Sequence, residues 1–440
     1  MVSKKNAGVS EEAGAGLELA GAASGSCERF DVVIVGCGSS GLYTALNLPA
    51  EMSVLVLTKT EAKRCDSMLA QGGICVLLDE DDYDSFYEDT MRAGHYENRP
   101  ESVDIMIRSS RAVIESLIGL GVAFERTPKG DLAYTREGGH TRARICYHAD
   151  TTGQEITQAL LSAVEKLSNV EIREHTCVVD LVEEDGACAG VVVEGEDGMR
   201  SVIGSSFVVF ATGGIGGLYE HSTNYPEITG DACRIARDRG IELEHMDYVQ
   251  IHPTSLYTGR PGRAFLISES ARGEGAVLLN AAGERFTDEL QPRDVVSAAI
   301  FSMMEEEGSS HVWLSFAPVP EKTVTEHFKA IREECAKEGY DILKEPIPVV
   351  PAQHYFMGGI RVDAWSRTSM PHLFAVGETS CNGVHGKNRL ASNSLLEALV
   401  FAQRAAKEIE KEADGPQETI ETDEPQRTRE ASESRIGRNG

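Results

Sequence analysis

The sequence predicts an α/β protein: a doubly wound, Rossmann-like domain interrupted by an inserted α+β capping domain. Three observations carry this. An apolar strand, a glycine turn and a helix follow one another in "FDVVIVGCGSSGLYTALNL", from Phe30. Buried-type strands then alternate with helical stretches, as parallel sheets require. Finally, the pattern changes between about 245 and 355 and then returns.

Taken in order, the first helix ends at Pro49 and "MSVLVLTK" is the next strand. A helix is expected over 101–120 and another over 152–167. "VEIREHTCVVDLVEE" and "ACAGVVVEG" read as a strand pair, and "SSFVVFATGG" as a buried strand ending in glycines. Within the inserted stretch, helices are expected over 294–306 and 320–338. "HLFAVGE" returns to the sheet, and a last helix opens near Ser394. There Ser394-Leu-Leu-Glu397 has the form of a capping box, with Ser394 at the N-cap, ahead of the stripe Leu395, Leu396, Leu399, Val400. These readings divide the chain into a disordered leader (1–28), a discontinuous sheet domain (29–244 and 356–412), the capping domain (245–355) and a disordered polar tail (413–440).

Composition sets limits. The formal charge of −28 argues against a nucleic-acid partner, which calls for a basic face. Ten cysteines without a C-x-x-C pair argue against a zinc ribbon and fit a reducing cytoplasm. No apolar run is long enough to cross a membrane, and the small, acidic segment after Lys5 does not read as a signal peptide.

Gly36-x-Gly38-x-x-Gly41 follows a strand and opens a helix, the context of a dinucleotide fingerprint. The next strand ends in Thr58-Lys59 instead of an acidic residue, which speaks against a plain NAD site. "AQGGI", "ATGG" and "AVGE" are further glycine turns. Each alone serves a tight turn. Together, along one sheet edge, they suit a long dinucleotide such as FAD. Four cationic or imidazole side chains, His252, Arg293, His354 and Arg389, fall in separate segments. Singly they read as core histidines or surface charges. If they converge, they suit a ligand with two carboxylates, which arginine grips bidentately.

The motifs "TREGGH", "HPTSL", "RGEGA", "PRDVV", "PAQHYFMGGI" and "VHGKNRLASNSLLE" resemble the flavoproteins of the succinate dehydrogenase and fumarate reductase superfamily. Within it, the likeness is to the L-aspartate oxidase branch, over roughly residues 30–408. Respiratory members attach FAD through a histidine where this chain has Asp66, so the resemblance implies non-covalent FAD. It implies FAD contacts at Gly36, Cys37, Gly38, Ser39, Ser40, Gly41 and Lys59, and over Asp66, Ser67, Met68, Leu69, Ala70, Gln71, Gly72 and Gly73. Asp231, Glu378, Ser394 and Leu395 complete that set. His354 and Arg389 would hold one substrate carboxylate, His252 and Ser268 the other, and Glu137 would face an ammonium. Arg293 would be the catalytic proton-transfer group, a role that requires a dry site. Ala391 stands where respiratory relatives more often have Gly.

The implied reaction is oxidation of L-aspartate to iminoaspartate by hydride transfer to flavin N5, the first step of NAD biosynthesis. O2 or fumarate would be the acceptor, the latter giving succinate. Quinolinate synthase is a candidate partner whose direct docking the sequence leaves open. The alternative is a soluble fumarate reductase or succinate dehydrogenase-like flavoprotein. The resemblance also leads one to expect a C-terminal helical domain, in whose place the sequence has only a short polar tail.

Overall fold

The computed structural model describes residues 28–415; the leader and most of the tail lie outside the described residues. The first strand, Glu28–Val35, starts two residues before the expected Phe30, because Glu28 and Arg29 already pair with Ile203 and Gly204. It is central to a seven-stranded sheet. Val54–Leu57 and then Val170–Arg173 lie on one side of it, all parallel. Arg200–Phe210 lies on the other, followed by the antiparallel strands Ala187–Gly195 and Thr176–Glu184. Leu373–Ala375 also pairs with Arg200–Phe210, in parallel, so the chain returns to the sheet after the insertion.

Both faces of this sheet are covered, which explains why its central strands read as unbroken apolar runs. Val32, Ile34, Val54 and Val56 face one core, built with Leu42, Val103, Leu160 and Leu399 from four helices. Their neighbours Val33, Val35, Leu55 and Leu57 face a second core with Ile235. The helices are Ser39–Asn47, Pro100–Gly119, Thr152–Val164 and Ser394–Ala413 on the first face, and Asp231–Asp238 on the second.

Residues 249–356 contribute a separate four-stranded antiparallel sheet, in the order Val249–Leu256, Ile347–Phe356, Val312–Ser315, Val277–Leu279. Its own core gathers Leu256, Leu278, Leu314 and Val349 under the helix Arg293–Glu307. No helix among the described residues is long and apolar enough to cross a membrane.

Three expectations need correction. The segment 170–184 is two strands, because the first half pairs with Val54–Leu57 and the second with Ala187–Gly195; His175, at φ 53°, turns the chain between them. The helix expected over 320–338 is two, Glu321–His327 and Lys329–Lys337. Phe328 leaves helical geometry to bury its ring edge-on against Phe316. The capping box at Ser394 does not form. The helix does begin at Ser394, but Asn393 precedes it without a side-chain cap. Ser394 Oγ instead accepts a hydrogen bond from Arg389 Nη1 at 2.5 Å, and the Glu397 carboxylate is engaged by Asn382.

Candidate active site

The glycine turn after the first strand is forced by close packing. Gly36 has φ 118°, and a Cβ there would sit 2.1 Å from the carbonyl oxygen of Ala211. Gly41 serves the same packing: its Cβ would meet Gly36 O at 2.1 Å, and it is not on the cavity wall. Met68 is likewise absent from that wall, a departure from the expected set. The other expected FAD contacts all line one long cavity along the strand ends. The helix Ser39–Asn47 starts there after Gly38, which supplies no side-chain cap; its first N–H, on Ser39, donates to Ser67 Oγ at 3.1 Å, and its positive end faces the cavity. At one end of the cavity Lys59 and Asp231 form an ion pair that sequence reasoning did not foresee.

The walls are polar in a way that calls for a ligand. Asp66 Oδ2 and Gln71 Oε1 are buried and have no hydrogen-bond partner in the structure. Burial raises the Asp66 carboxyl to about 7, although Tyr225 N–H donates to its other oxygen at 2.9 Å. Burial, with Asp66 nearby, raises Glu378 to about 8, while Phe356 N–H donates to it at 2.9 Å. The positive end of a helix, a glycine turn no side chain could occupy and orphaned acceptors together fit FAD. Asp66 offers a hydrogen-bonding carboxyl at this wall, where FAD would be held without a covalent bond to it.

The same cavity ends among Glu137, His252, Ser268, Arg293, His354 and Arg389, so the five expected substrate residues and the expected catalytic Arg293 line one cavity. Local structure explains how distant segments deliver them. The register steps from Gln250↔Tyr355 to Ile251↔Gln353, so His354 is the extra residue of a β-bulge. A second irregularity follows His252. Bulges re-aim side chains, and here both histidines turn toward the cavity. Their rings pack edge to face with centroids 5.3 Å apart. Arg293 is the first residue of its helix, after Pro292. Arg389 lies five residues before Ser394, with its guanidinium over the Tyr355 ring at 4.5 Å.

Burial and the flanking arginines hold the pKa of both histidines well below the ordinary imidazole range. At neutral pH each is therefore neutral. His252 Nδ1 lies 3.1 Å from the Thr254 carbonyl oxygen and 3.2 Å from the Thr254 N–H, so the backbone of Thr254 fixes the orientation of the ring. The other ring nitrogen, Nε2, is buried without a partner in the structure, and His252 lines the cavity. His354 Nδ1 pairs with Thr223 Oγ1 at 2.8 Å. Ser268 begins the short helix Glu269–Gly273, and its Oγ accepts from Ser270 N–H.

Two further residues escaped sequence reasoning. The single oxygen Gln250 Oε1 accepts from Arg293 Nη1 at 2.8 Å and from Arg389 Nη2 at 3.2 Å, holding the two cations over one site. Glu269 accepts from Arg293 Nε at 2.6 Å. Burial works to raise the Glu269 pKa, but the Arg293 and Arg272 charges hold it below its ordinary value. The spacing of Gln250 and His252, two apart on one strand, was the available signal for the first. Desolvation, aided by Arg293, lowers Arg389 to about 10, still charged at neutral pH.

Such a cavity, dinucleotide-shaped along its length and cationic at its end, defines an FAD-dependent oxidoreductase acting on a small dicarboxylate. Residues 31–395 match the family described as FAD binding domain. The chain is 47% identical to an L-aspartate oxidase of Clostridium perfringens, covering 89% of each protein, and 42% identical to that of Nostoc sp., covering 67% of it. Among solved structures it resembles E. coli quinol fumarate reductase FrdA, with a TM-score of 0.82 and 32% identity over 88% of this chain and 71% of that one. The chain belongs to the L-aspartate oxidase family.

Proposed function

We propose that this site oxidises L-aspartate to iminoaspartate, the entry reaction of NAD biosynthesis, with reoxidation by O2 or fumarate. Bound FAD supplies the two-electron acceptor. The turn from Gly36 to Ser40, Lys59, Asp66, Ser67, the run from Leu69 to Gly73, Asp231, Glu378 and the start of the Ser394 helix would hold it. Arg389 and His354 grip one carboxylate, the arginine by charge and the neutral imidazole by hydrogen bonding. His252, through its unpartnered Nε2, and Ser268 hold the other. Glu137 receives the ammonium, which charge pairing favours over a substrate lacking one. Arg293, tied to Glu269 and Gln250, is the proton-transfer group; the adjacent Glu269 carboxylate gives the proton a route onward. Residues 245–355 act as a capping unit that excludes water over the site. The nine free cysteines among the described residues suit a reducing cytoplasm. Direct docking of a quinolinate synthase would shield the iminoaspartate as it leaves.

The convergence of Glu137 with the two arginines and two histidines supports this reading best. The test is anaerobic mixing of the FAD-loaded protein with L-aspartate or with succinate. Bleaching of the flavin by aspartate, with recovery on readmitting oxygen or adding fumarate, is expected. Bleaching by succinate alone would instead indicate a succinate-oxidising or fumarate-reducing enzyme.

A further inference from the structure

Ser392 has φ 62°, a left-handed conformation that a glycine adopts freely and a serine does not. It sits between Ala391 and the helix beginning at Ser394, and is buried. A strained non-glycine residue persists where its surroundings over-determine it, and such residues cluster at functional sites. Here the side chain is engaged twice. Its Oγ donates to Glu137 Oε2 at 2.6 Å and accepts from Gly73 N–H at 3.1 Å. Its carbonyl accepts from Cys75 N–H at 3.1 Å. The opposite wall is fixed by Gly72, where a Cβ would stand 2.7 Å from Glu137 Oε1.

The preceding carbonyl is clamped as well. His140 Nε2 lies 2.9 Å from Ala391 O. Arg144, fully buried between Asp82 and Asp89, donates to His140 Nδ1 at 3.1 Å. An arginine can only donate, so His140 accepts at Nδ1 and donates its Nε2–H to Ala391.

We propose that Ser392 is a specificity-determining positioning residue: its hydroxyl aims the Glu137 carboxylate at the amine of an amino-dicarboxylate, and its strained backbone is kept for that purpose. The inference rests on the reading that Glu137 faces the substrate ammonium. Burial raises the Glu137 pKa, and the Ser392 hydroxyl works against that rise, toward the charged form an ammonium needs.

The experiment uses the FAD-loaded protein and the variants Ser392→Gly, Ser392→Ala and Glu137→Gln. It reads KM for L-aspartate, Kd for succinate from the change in flavin absorption, and melting temperature. Ser392→Gly removes the hydroxyl and relieves the backbone, so the melting temperature should stay level or rise. Its aspartate KM should increase tenfold or more while succinate Kd stays within twofold. Ser392→Ala should show the same split with a lower melting temperature. An unchanged aspartate KM in Ser392→Gly, or an equal loss of succinate affinity, would overturn the role of Ser392. Should Glu137→Gln leave aspartate KM unchanged, the reading of Glu137 itself would fall. A shift in Glu137→Gln without one in Ser392→Gly would remove Ser392 alone.

Discussion

At Glu378 and Asp66, two carboxyls raised above their ordinary values share one cavity wall. The folded, FAD-free protein therefore binds more protons than the unfolded chain between the ordinary carboxylate pKa and about 8. Its stability should fall as pH climbs through that window. Glu378→Gln should flatten the decline, measured as urea midpoints from pH 5 to pH 8; an equally steep decline would clear Glu378 of responsibility. Arg389→Leu acts at the same scale. Removing one partner of a buried charge pair should weaken binding of aspartate and succinate alike by about 2–5 kcal/mol. Residue types were legible here because the chemistry is explicit in them: two arginines and two histidines announce an anion site once they meet. Gln250 was not legible. A neutral amide on a buried strand looks like packing until two guanidinium groups are found on its one oxygen.

Secondary elements were readable wherever one partner set the pattern. The runs 32–35 and 54–57 are apolar on every residue because two cores share them. Reading failed where tertiary partners changed within an element. His175 divides a run whose halves pair with different strands, and Phe328 gives up helix for a place against Phe316. At Ser394 the local rule for caps lost to a guanidinium supplied from five residues earlier. The bulge at His354 has no sequence signature, since it arises from register against another strand. One element is strict enough for a sharp prediction. Gly36→Ala would drive a Cβ to within 2.1 Å of the Ala211 carbonyl oxygen. The purified variant should carry no yellow cofactor, checked by its absorption spectrum; normal FAD content would show that the turn can yield.

Across the whole molecule, the cofactor should be a major stabiliser. A ligand bound only by the folded state adds RT ln(1 + [L]/Kd), about 2.7 kcal/mol at a hundredfold excess over Kd. Thermal denaturation with and without added FAD should show a corresponding rise, and succinate should add a second increment only when FAD is present. The overall plan was legible because the insertion changes the pattern and the sheet resumes after it, at Leu373–Ala375. How the insertion seats on the sheet domain was not, because contacts such as Ser222 Oγ with Gln353 Oε1 join residues 131 positions apart.

Gln250 has one more consequence. It belongs to the antiparallel sheet, yet its Nε2 donates to the backbone oxygen of Arg389 at 2.8 Å, on the segment leading into the Ser394 helix. The same amide thus rivets the roof to the floor and spaces the charged prongs, so the molecule cannot gape there without also scattering the groups that hold a four-carbon guest.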